Sequence, residues 1–190
     1  MNTDYKICVL GLGYVGLPLA VEFSKKFGVV GYDNNRSRVG ELQSGYDRTE
    51  EIDEKDLKRF SGIFTADIEA IAESNVFIVT VPTPIDQNMR PDLSALKGVS
   101  SSIAKFLKTG DLVIYESTVY PGVTEDICVP ILEAVSDLRY LRDFDVGYSP
   151  ERINPGDKVN TVKNIIKLVS ASSGDALKAV EYLYSQIIEA

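Results

Sequence analysis

The chain has 190 residues, of which 44% are hydrophobic, and a formal net charge of −8. This length and composition can bury a sizeable core, so we predict one globular domain and exclude disordered and fibrous proteins. The negative charge argues against a broad nucleic-acid or anionic-membrane surface, because both require clustered Lys and Arg side chains. Histidine is absent, which argues against a catalytic triad, a zinc hydrolase and a metal site.

The two cysteines and the N-terminal sequence indicate the compartment. Cys8 and Cys128 form no metal-binding or disulfide pattern, which suits a reducing compartment. The N-terminus lacks the basic start and unbroken apolar core of a signal peptide. The apolar run at 7–23 contains glycines, a proline and a glutamate, and it falls short of the ~20 residues that span a bilayer. We therefore expect a soluble, cytoplasmic protein with no membrane or nucleic-acid partner.

The first predicted element is a buried parallel strand at 7–10, which leads into a glycine-rich turn. Gly11, Gly13 and Gly16 follow the G-x-G-x-x-G order that opens a helix beneath a pyrophosphate. We expect Gly11 to permit a tight turn, Gly13 to let phosphates approach the backbone, and Gly16 to let the helix pack closely. The new helix would offer unpaired N–H groups and a partial positive charge to the anion.

The next strand strengthens the prediction of a dinucleotide, because the three glycines alone fit an ordinary loop equally well. A helix at 14–26 is followed by a strand at 29–33, and Asp33 lies 17 residues after Gly16. An acid at this strand end can accept hydrogen bonds from the adenosine ribose and would repel a 2′-phosphate. The order of elements thus favours NAD over NADP, and a dinucleotide over a methyltransferase cofactor. The alternative for Asp33 is a solvated carboxylate.

A short helix at 34–43 carries Arg38, which could reach the adenosine side of the ligand or lie in solvent. Residues 44–59 are predicted to be a solvated loop and helix. A third strand is predicted at 63–65 and a helix at 67–72, with Asp67 near its N-terminus.

The apolar run that begins at Asn75 predicts a fourth buried parallel strand, which Pro82 and Pro84 end sharply. In the strand order 3-2-1-4-5-6 this strand lies beside the first one, across the switch point where ligands bind. The turn at 82–84 is therefore predicted to border the cofactor, the alternative being a turn that only ends the strand. The fold class is α/β, a doubly wound parallel-sheet Rossmann fold with three α/β/α layers, in one domain at 1–190.

Asp92 is predicted to cap a helix at 93–107, and a fifth strand follows at 111–115. A carboxylate and a cluster of hydroxyls occupy 116–122, at the level where active-site groups gather in this fold. Thr118 is either a catalytic or nicotinamide-side hydroxyl or a turn hydroxyl that satisfies the backbone. Thr124 could cap a helix at 125–135.

A sixth strand is predicted at 144–148, and Glu151 and Arg152 leave its carboxyl end between two prolines. A Glu in this place could order a water or take a proton, and the Arg could hold a carboxylate or phosphate. The alternative is a local ion pair. A further strand is predicted at 164–169 and a helix at 175–188.

Together these motifs resemble the N-terminal domain of the UDP-glucose/GDP-mannose dehydrogenase family. They occur in family order at 11–20, 31–33, 81–84, 116–119 with 121–122, and 149–152 with 155–156. The Ser-Pro-Glu-Arg form at 149–152, followed by Asn154-Pro-Gly156, is most similar to members that oxidise UDP-N-acetylhexosamines to uronic acids for surface polysaccharides.

The resemblance implies a four-electron oxidation that consumes two NAD molecules. A C6 alcohol gives hydride to NAD, a cysteine thiolate captures the aldehyde, a second hydride leaves, and the thioester is hydrolysed. Matching motif positions imply that Asp33 and Arg38 bind the adenosine ribose, that Thr83 and Thr118 line the cofactor and the catalytic water, and that Glu151 assists hydrolysis.

The complete assignment covers three kinds of role. The residues assigned to the cofactor are Gly11, Gly13, Tyr14, Val15, Gly16, Asp33, Arg38, Pro82, Thr83, Ser117 and Thr118, of which Ser117 has no defined task. The residues assigned to catalysis are Glu151 and Thr118, and those assigned to the substrate are Glu151 and Arg152.

The sequence departs from the family pattern in one respect. The family's nucleophile lies in a Gly-Gly-x-Cys motif of a later domain, and that motif is absent here. Neither Cys8 nor Cys128 matches its position. We therefore expect a cofactor domain that binds NAD without completing the reaction, while the full-length enzyme would be a homo-oligomer that binds the UDP-sugar mostly through other domains. The alternative is a stand-alone NAD-binding module, and a hydroxyacid dehydrogenase is disfavoured because no histidine is available.

Overall fold

The computed structural model describes residues 4–85, 87–152, 156 and 162–189. Within them one sheet of seven strands has the order β3-β2-β1-β4-β5-β6-β7, in which the first six strands run parallel and β7 is antiparallel to β6. The strands are β1 (Lys6–Leu10), β2 (Gly28–Tyr32), β3 (Ile63–Thr65), β4 (Val76–Val79), β5 (Leu112–Tyr115), β6 (Asp145–Tyr148) and β7 (Ser170–Ala171). The predicted order 3-2-1-4-5-6 is confirmed.

Helices cover both faces of the sheet. They are α1 (Gly16–Ser24), α2 (Arg36–Gln43), α3 (Glu54–Leu57), α4 (Ser94–Ala104), α5 (Val129–Ser136) and α6 (Gly174–Ser185), with a 3₁₀ turn at Ile68–Ile71 and a π turn at Thr124–Cys128. Side chains fix several starts: Asn35 accepts a hydrogen bond from the Arg38 N–H, and Ser173 accepts one from the Ala176 N–H. Such caps satisfy N–H groups that the first helical turn leaves unpaired.

Successive residues of the central strands point into two separate cores. Ile7 and Val9 of β1 pack with apolar residues of α1, α2 and α6, whereas Cys8 and Leu10 pack with those of α4 and α5. Because the central strands are buried on both faces, their sequences are continuous apolar runs rather than alternating ones. The predicted three-layer α/β/α architecture is confirmed.

Two local predictions are wrong. Thr124 does not cap a helix, because it is a buried residue inside the π turn, which begins after Val123. Residues 164–169 form no strand, since the last strand is β7 and the stretch from 166 to 169 has no regular structure. Lys167 in this stretch points inward, so its apolar neighbours Ile166 and Leu168 are exposed.

Candidate functional site

The carboxyl ends of the parallel strands surround a cavity of about 610 Å³. Parallel strands end on one edge of a sheet, so the loops after β1, β2, β4, β5 and β6 all reach it. The described residues that line it are Gly11, Gly13, Tyr14, Val15, Asp33, Asn34, Asn35, Thr80, Val81, Pro82, Thr83, Pro84, Glu116, Ser117, Thr118 and Glu151. The cavity thus brings together most of the residues that the sequence assigns to the site.

The glycine-rich turn has the geometry that its sequence predicts. Gly11 has a φ of +99°, a backbone conformation that residues other than glycine rarely adopt. A Cβ atom on Gly16 would lie 1.8 Å from the Gly11 carbonyl oxygen, so only glycine permits this approach of helix and strand. A Cβ on Gly13 would meet no atom within 4 Å. Gly13 therefore leaves open space where the turn faces the cavity.

Two side chains hold the middle residue of this turn. The Leu12 N–H donates to Asp33 Oδ2 at 2.8 Å, and Arg38 Nε donates to the Leu12 carbonyl oxygen at 2.8 Å. Asp33 also accepts the Asn35 N–H at 2.8 Å. A carboxylate has about four acceptor positions, so Asp33 retains capacity for a ligand hydroxyl.

Arg38 is buried, so the alternative that its side chain lies in solvent is wrong. Its Nη2 lies 2.7 Å from Asp47 Oδ1, and both side chains are almost fully buried. Burial by itself would raise the pKa of Asp47, but hydrogen bonds from Thr49, Ile52 and Arg38 outweigh it and lower that pKa. Arg38 is not among the described residues that line the cavity, so its contact with the ribose stays a prediction.

Thr80 is a site residue that the sequence did not reveal. Its hydroxyl lies 2.8 Å from the Gly11 carbonyl oxygen and 3.1 Å from that of Leu10, so it ties the end of β4 to the glycine-rich turn. A hydroxyl at the end of the strand next to β1 is the signal that could have identified it.

The loops after β4 and β5 hold each other at the next part of the cavity. Ser117 Oγ donates to the Val81 carbonyl oxygen at 2.6 Å, and Thr83 Oγ1 donates to the Thr118 carbonyl oxygen at 2.5 Å. These hydrogen bonds join the two loops, so Ser117 and Thr83 have a structural role whether or not they also contact a ligand. Thr118 itself is exposed and lines the cavity.

Glu151 and Arg152 leave β6 in different directions. Glu151 lines the cavity near Tyr14, whose pKa is raised by partial burial and then by the charge of Glu151. Arg152 donates from Nη1 to the Ile166 carbonyl oxygen at 3.1 Å and is not among the described cavity residues. The motif residues Asn154 and Pro155 lie outside the described residues.

Glu116 is a second group whose importance the sequence did not reveal. Its carboxylate is buried and contacts the Lys167 ammonium group and the Tyr184 hydroxyl. The two partners lie 51 and 68 residues further along the chain, so no local pattern could have identified them.

Neither cysteine has the environment of a nucleophile. Cys8 and Cys128 are both buried, and burial raises the pKa of each thiol. Cys8 points into the core beneath β1, and neither residue lines the described cavity.

A second cavity of about 530 Å³ adjoins the first. It shares Gly11, Asp33 and Pro82 with the first cavity and extends to Ser94, Gly98 and Ser102 on α4. Asp33 thus lines both cavities, and the sequence did not predict the part that α4 contributes.

In the part of the chain that the structure describes, no group of three or more His, Cys, Asp or Glu residues could hold a metal ion. None of the described helices has the length and apolar character needed to cross a membrane.

Comparison with known proteins agrees with this geometry. The family model for the NAD binding domain of the UDP-glucose/GDP-mannose dehydrogenase family matches residues 5–188. The UDP-N-acetyl-D-glucosamine 6-dehydrogenases of Pseudomonas aeruginosa and Salmonella typhi are 56% and 50% identical to the chain; each alignment covers 98% of the chain and 44% of the relative. The structure of a UDP-D-ManNAc dehydrogenase from Pyrococcus horikoshii superposes with a TM-score of 0.89 at 35% identity, covering 97% of this chain and 45% of that one.

The chain therefore spans less than half the length of these relatives. The match extends over nearly all of its residues and includes the glycine-rich turn, Asp33 and the strand-end loops described above. On this evidence the chain belongs to the UDP-glucose/GDP-mannose dehydrogenase family, in which it corresponds to the NAD binding domain.

Proposed function

We propose that this chain is the cofactor domain of a longer, NAD-dependent 6-dehydrogenase that oxidises a UDP-N-acetylhexosamine or UDP-hexose to the uronic acid. One observation carries the proposal: the turn held by Asp33 lies in the same cavity as Thr118 and Glu151. A dinucleotide site and groups suited to acid–base chemistry are thus parts of one space.

The described residues fit NAD. Gly13 leaves room beside the N-terminus of α1 for a pyrophosphate, and no described side chain caps that helix at Val15. No Lys or Arg is among the described residues that line the first cavity, so backbone N–H groups would hold the phosphates. Asp33 would accept the ribose hydroxyls, and the cavity beside α4 has room for the adenine.

When bound, NAD accepts hydride from the C6 carbon of the sugar. Asp33 follows β2, whereas Thr118 and Glu151 follow β5 and β6 on the other side of β1 in the sheet, so we assign these two residues to the reacting end. Glu151 would order the water that hydrolyses the thioester and accept its proton. The resemblance places the nucleophilic thiol in a later domain of the family, in agreement with the buried state of this chain's own cysteines.

The substrate, partners and cellular location belong to the same proposal. Two relatives named as UDP-N-acetyl-D-glucosamine 6-dehydrogenases, at 56% and 50% identity, support an N-acetylhexosamine. The finer assignments are a homo-oligomer as the full-length form, the cytoplasm as the location, and surface polysaccharide synthesis as the pathway. A single-domain organisation of residues 1–190 is likewise proposed.

A stand-alone NAD-binding module is the second candidate, because both thiols of the chain are buried and cannot serve as nucleophiles. The two candidates predict different coding sequences beyond codon 190 of the gene. An open reading frame that continues beyond codon 190 into a Gly-Gly-x-Cys motif supports the enzyme, whereas a stop without that motif supports the module.

The cofactor assignment is tested by calorimetric titration of the chain with NAD and NADP. We expect NAD to bind more tightly, because the Asp33 carboxylate accepts ribose hydroxyls and repels a 2′-phosphate. Asp33→Ala should weaken NAD by roughly 10-fold or more, which corresponds to one charge-assisted hydrogen bond. Exposed Asp175→Ala, remote from the cavity, is the control. Equal affinity for the two cofactors in the unmodified chain would remove this role from Asp33.

A further inference from the structure

A buried cluster of three polar side chains lies behind the reacting end of the cavity. Glu116 follows β5, Lys167 comes from the irregular stretch before β7, and Tyr184 comes from α6. Lys167 contacts Glu116 Oε2 and the Tyr184 hydroxyl donates to Oε1. Lys167 Nζ also lies 5.5 Å from the centre of the Tyr184 ring. Three distant segments thus converge on one carboxylate.

Each member of this cluster requires the others. The side chains of Glu116 and Lys167 are 0% and 5% exposed, and a charge so deeply buried is costly unless it is paired and hydrogen-bonded. Burial and then the charge of Glu116 hold the pKa of Tyr184 well above its ordinary value, so its hydroxyl stays a donor. The cluster therefore joins one acidic and one basic side chain, whose opposite charges cancel, to a hydroxyl donor.

The position of the pair matters because the cavity is otherwise negative. Its described lining residues include Asp33, Glu116 and Glu151 and no Lys or Arg. The Glu116 side chain is itself 0% exposed, so its charge acts from behind the lining. Lys167 is the cation that contacts Glu116 from behind. In this poorly solvated place solvent and salt screen the two charges far less than at the surface.

The charge at this end bears on the redox state of the cofactor. The nicotinamide ring is positively charged in NAD⁺ and neutral in NADH, so a nearby negative charge favours NAD⁺ and a nearby positive charge favours NADH. We propose that the Glu116–Lys167 pair sets the relative affinity of the site for oxidised and reduced cofactor, with Lys167 cancelling the Glu116 charge so that NADH is not disfavoured. The proposal rests on the proposed function, since it requires that NAD binds in this cavity. Both residues act through their charge and are positioning residues rather than catalytic ones.

The test compares the ratio Kd(NADH)/Kd(NAD⁺), measured by calorimetry, among variants that remove one charge of the pair or both. Lys167→Met should raise the ratio by roughly 5-fold and Glu116→Gln should lower it by a similar factor, as one unit charge at close range predicts. The double variant Glu116→Gln/Lys167→Met, which is neutral again, should return to within about 2-fold of the unmodified ratio.

The chain offers a matched control. Lys163 lies on the same segment before β7 as Lys167, and its ammonium group is 3.5 Å from the Glu22 carboxylate. Its side chain is 39% exposed, and it is not among the described cavity residues. Lys163→Met should leave the ratio unchanged. Lys167→Arg, which keeps the positive charge, should also leave the ratio unchanged.

The outcomes separate the two proposals. Failure of the unmodified chain to bind either cofactor form would refute the proposed function. Binding of both forms, with each variant weakening them equally, would give the pair a purely structural role and overturn the inference. If Lys167→Met does not fold, Glu116→Gln and the double variant decide, because the ratio must fall in the first and recover in the second.

Discussion

Gly13 and Gly16 lie in the same turn but have different roles, one in leaving space beside the cavity and the other in close packing. A Cβ on Gly16 would lie 1.8 Å from the Gly11 carbonyl oxygen, an overlap with backbone that no side-chain movement can relieve. A Cβ on Gly13 would enter open space beside the cavity. Gly16 is therefore needed by the fold, whereas Gly13 leaves space for a ligand.

A pair of alanine substitutions distinguishes the two tasks. Gly16→Ala should lower the free energy of unfolding by about 3 kcal/mol, because α1 must move away from β1. Gly13→Ala should leave thermal unfolding nearly unchanged and weaken NAD binding roughly 10-fold, because the added methyl occupies space needed by the phosphates. Chemical denaturation and calorimetric titration of both variants provide the check. A stable Gly16→Ala protein with normal affinity would contradict the packing argument.

Among the elements, β5 directly follows a buried acid, Asp111, which is not among the described cavity residues. Asp111 accepts the Lys108 N–H at 2.8 Å, yet burial dominates and raises its pKa to about 6. The folded protein therefore holds this proton more tightly than the unfolded chain, whose carboxyl has the ordinary value of 3.8. Asp111 costs no stability below about pH 4, and the cost grows as the pH rises through 6.

Asp111→Asn should accordingly raise the free energy of unfolding at pH 7.5 by about 1–3 kcal/mol, and the gain should vanish near pH 3.5. Asn keeps the acceptor for the Lys108 N–H and cannot ionise. Urea denaturation at the two pH values measures the difference. Asp175→Asn, at an exposed acid on α6, is the control and should change little. An Asp111→Asn gain that is the same at both pH values would exclude ionisation as its cause.

The two wrong local predictions have a common cause at the scale of elements. The run at 164–169 is apolar enough for a strand, but Lys167 is drawn into the buried pair with Glu116 and its neighbours Ile166 and Leu168 turn outward. Thr124 has a residue type suited to capping, yet the chain is already helical at Val123. In both places tertiary contacts overrode a local preference.

At the scale of the whole molecule, the proposed oxidation to the acid needs a thiol that this chain does not expose. Because the UDP-sugar is expected to bind mostly through other domains, the chain alone should produce no NADH above background from NAD and UDP-N-acetylglucosamine, as followed by absorbance of the reduced cofactor. Both of its cysteines are buried, and neither is among the described residues that line the cavity.

Glu151 can be tested in a longer protein that joins this chain to a Gly-Gly-x-Cys domain. Glu151→Gln should slow formation of the acid about 10²-fold, the usual contribution of general acid–base catalysis, and let the covalent thioester accumulate. Mass spectrometry of the trapped enzyme and rates of acid formation provide the measurement. Asp175→Asn serves as the control, and turnover at the unmodified rate would remove Glu151 from the mechanism.

The sequence by itself determined the parallel sheet, its strand order and the glycine-rich turn with Asp33, because these depend on local periodicity and on backbone conformations that glycine permits. It also placed Thr118 and Glu151 at the strand ends that face the turn. The tertiary structure decided the rest: the bond from Thr80 to the turn, the buried Arg38–Asp47 pair, and the Glu116–Lys167–Tyr184 cluster. The contacts of Thr80 and of the Glu116 cluster join residues far apart in sequence, and the Arg38–Asp47 pair depends on burial, which no local pattern of residues records.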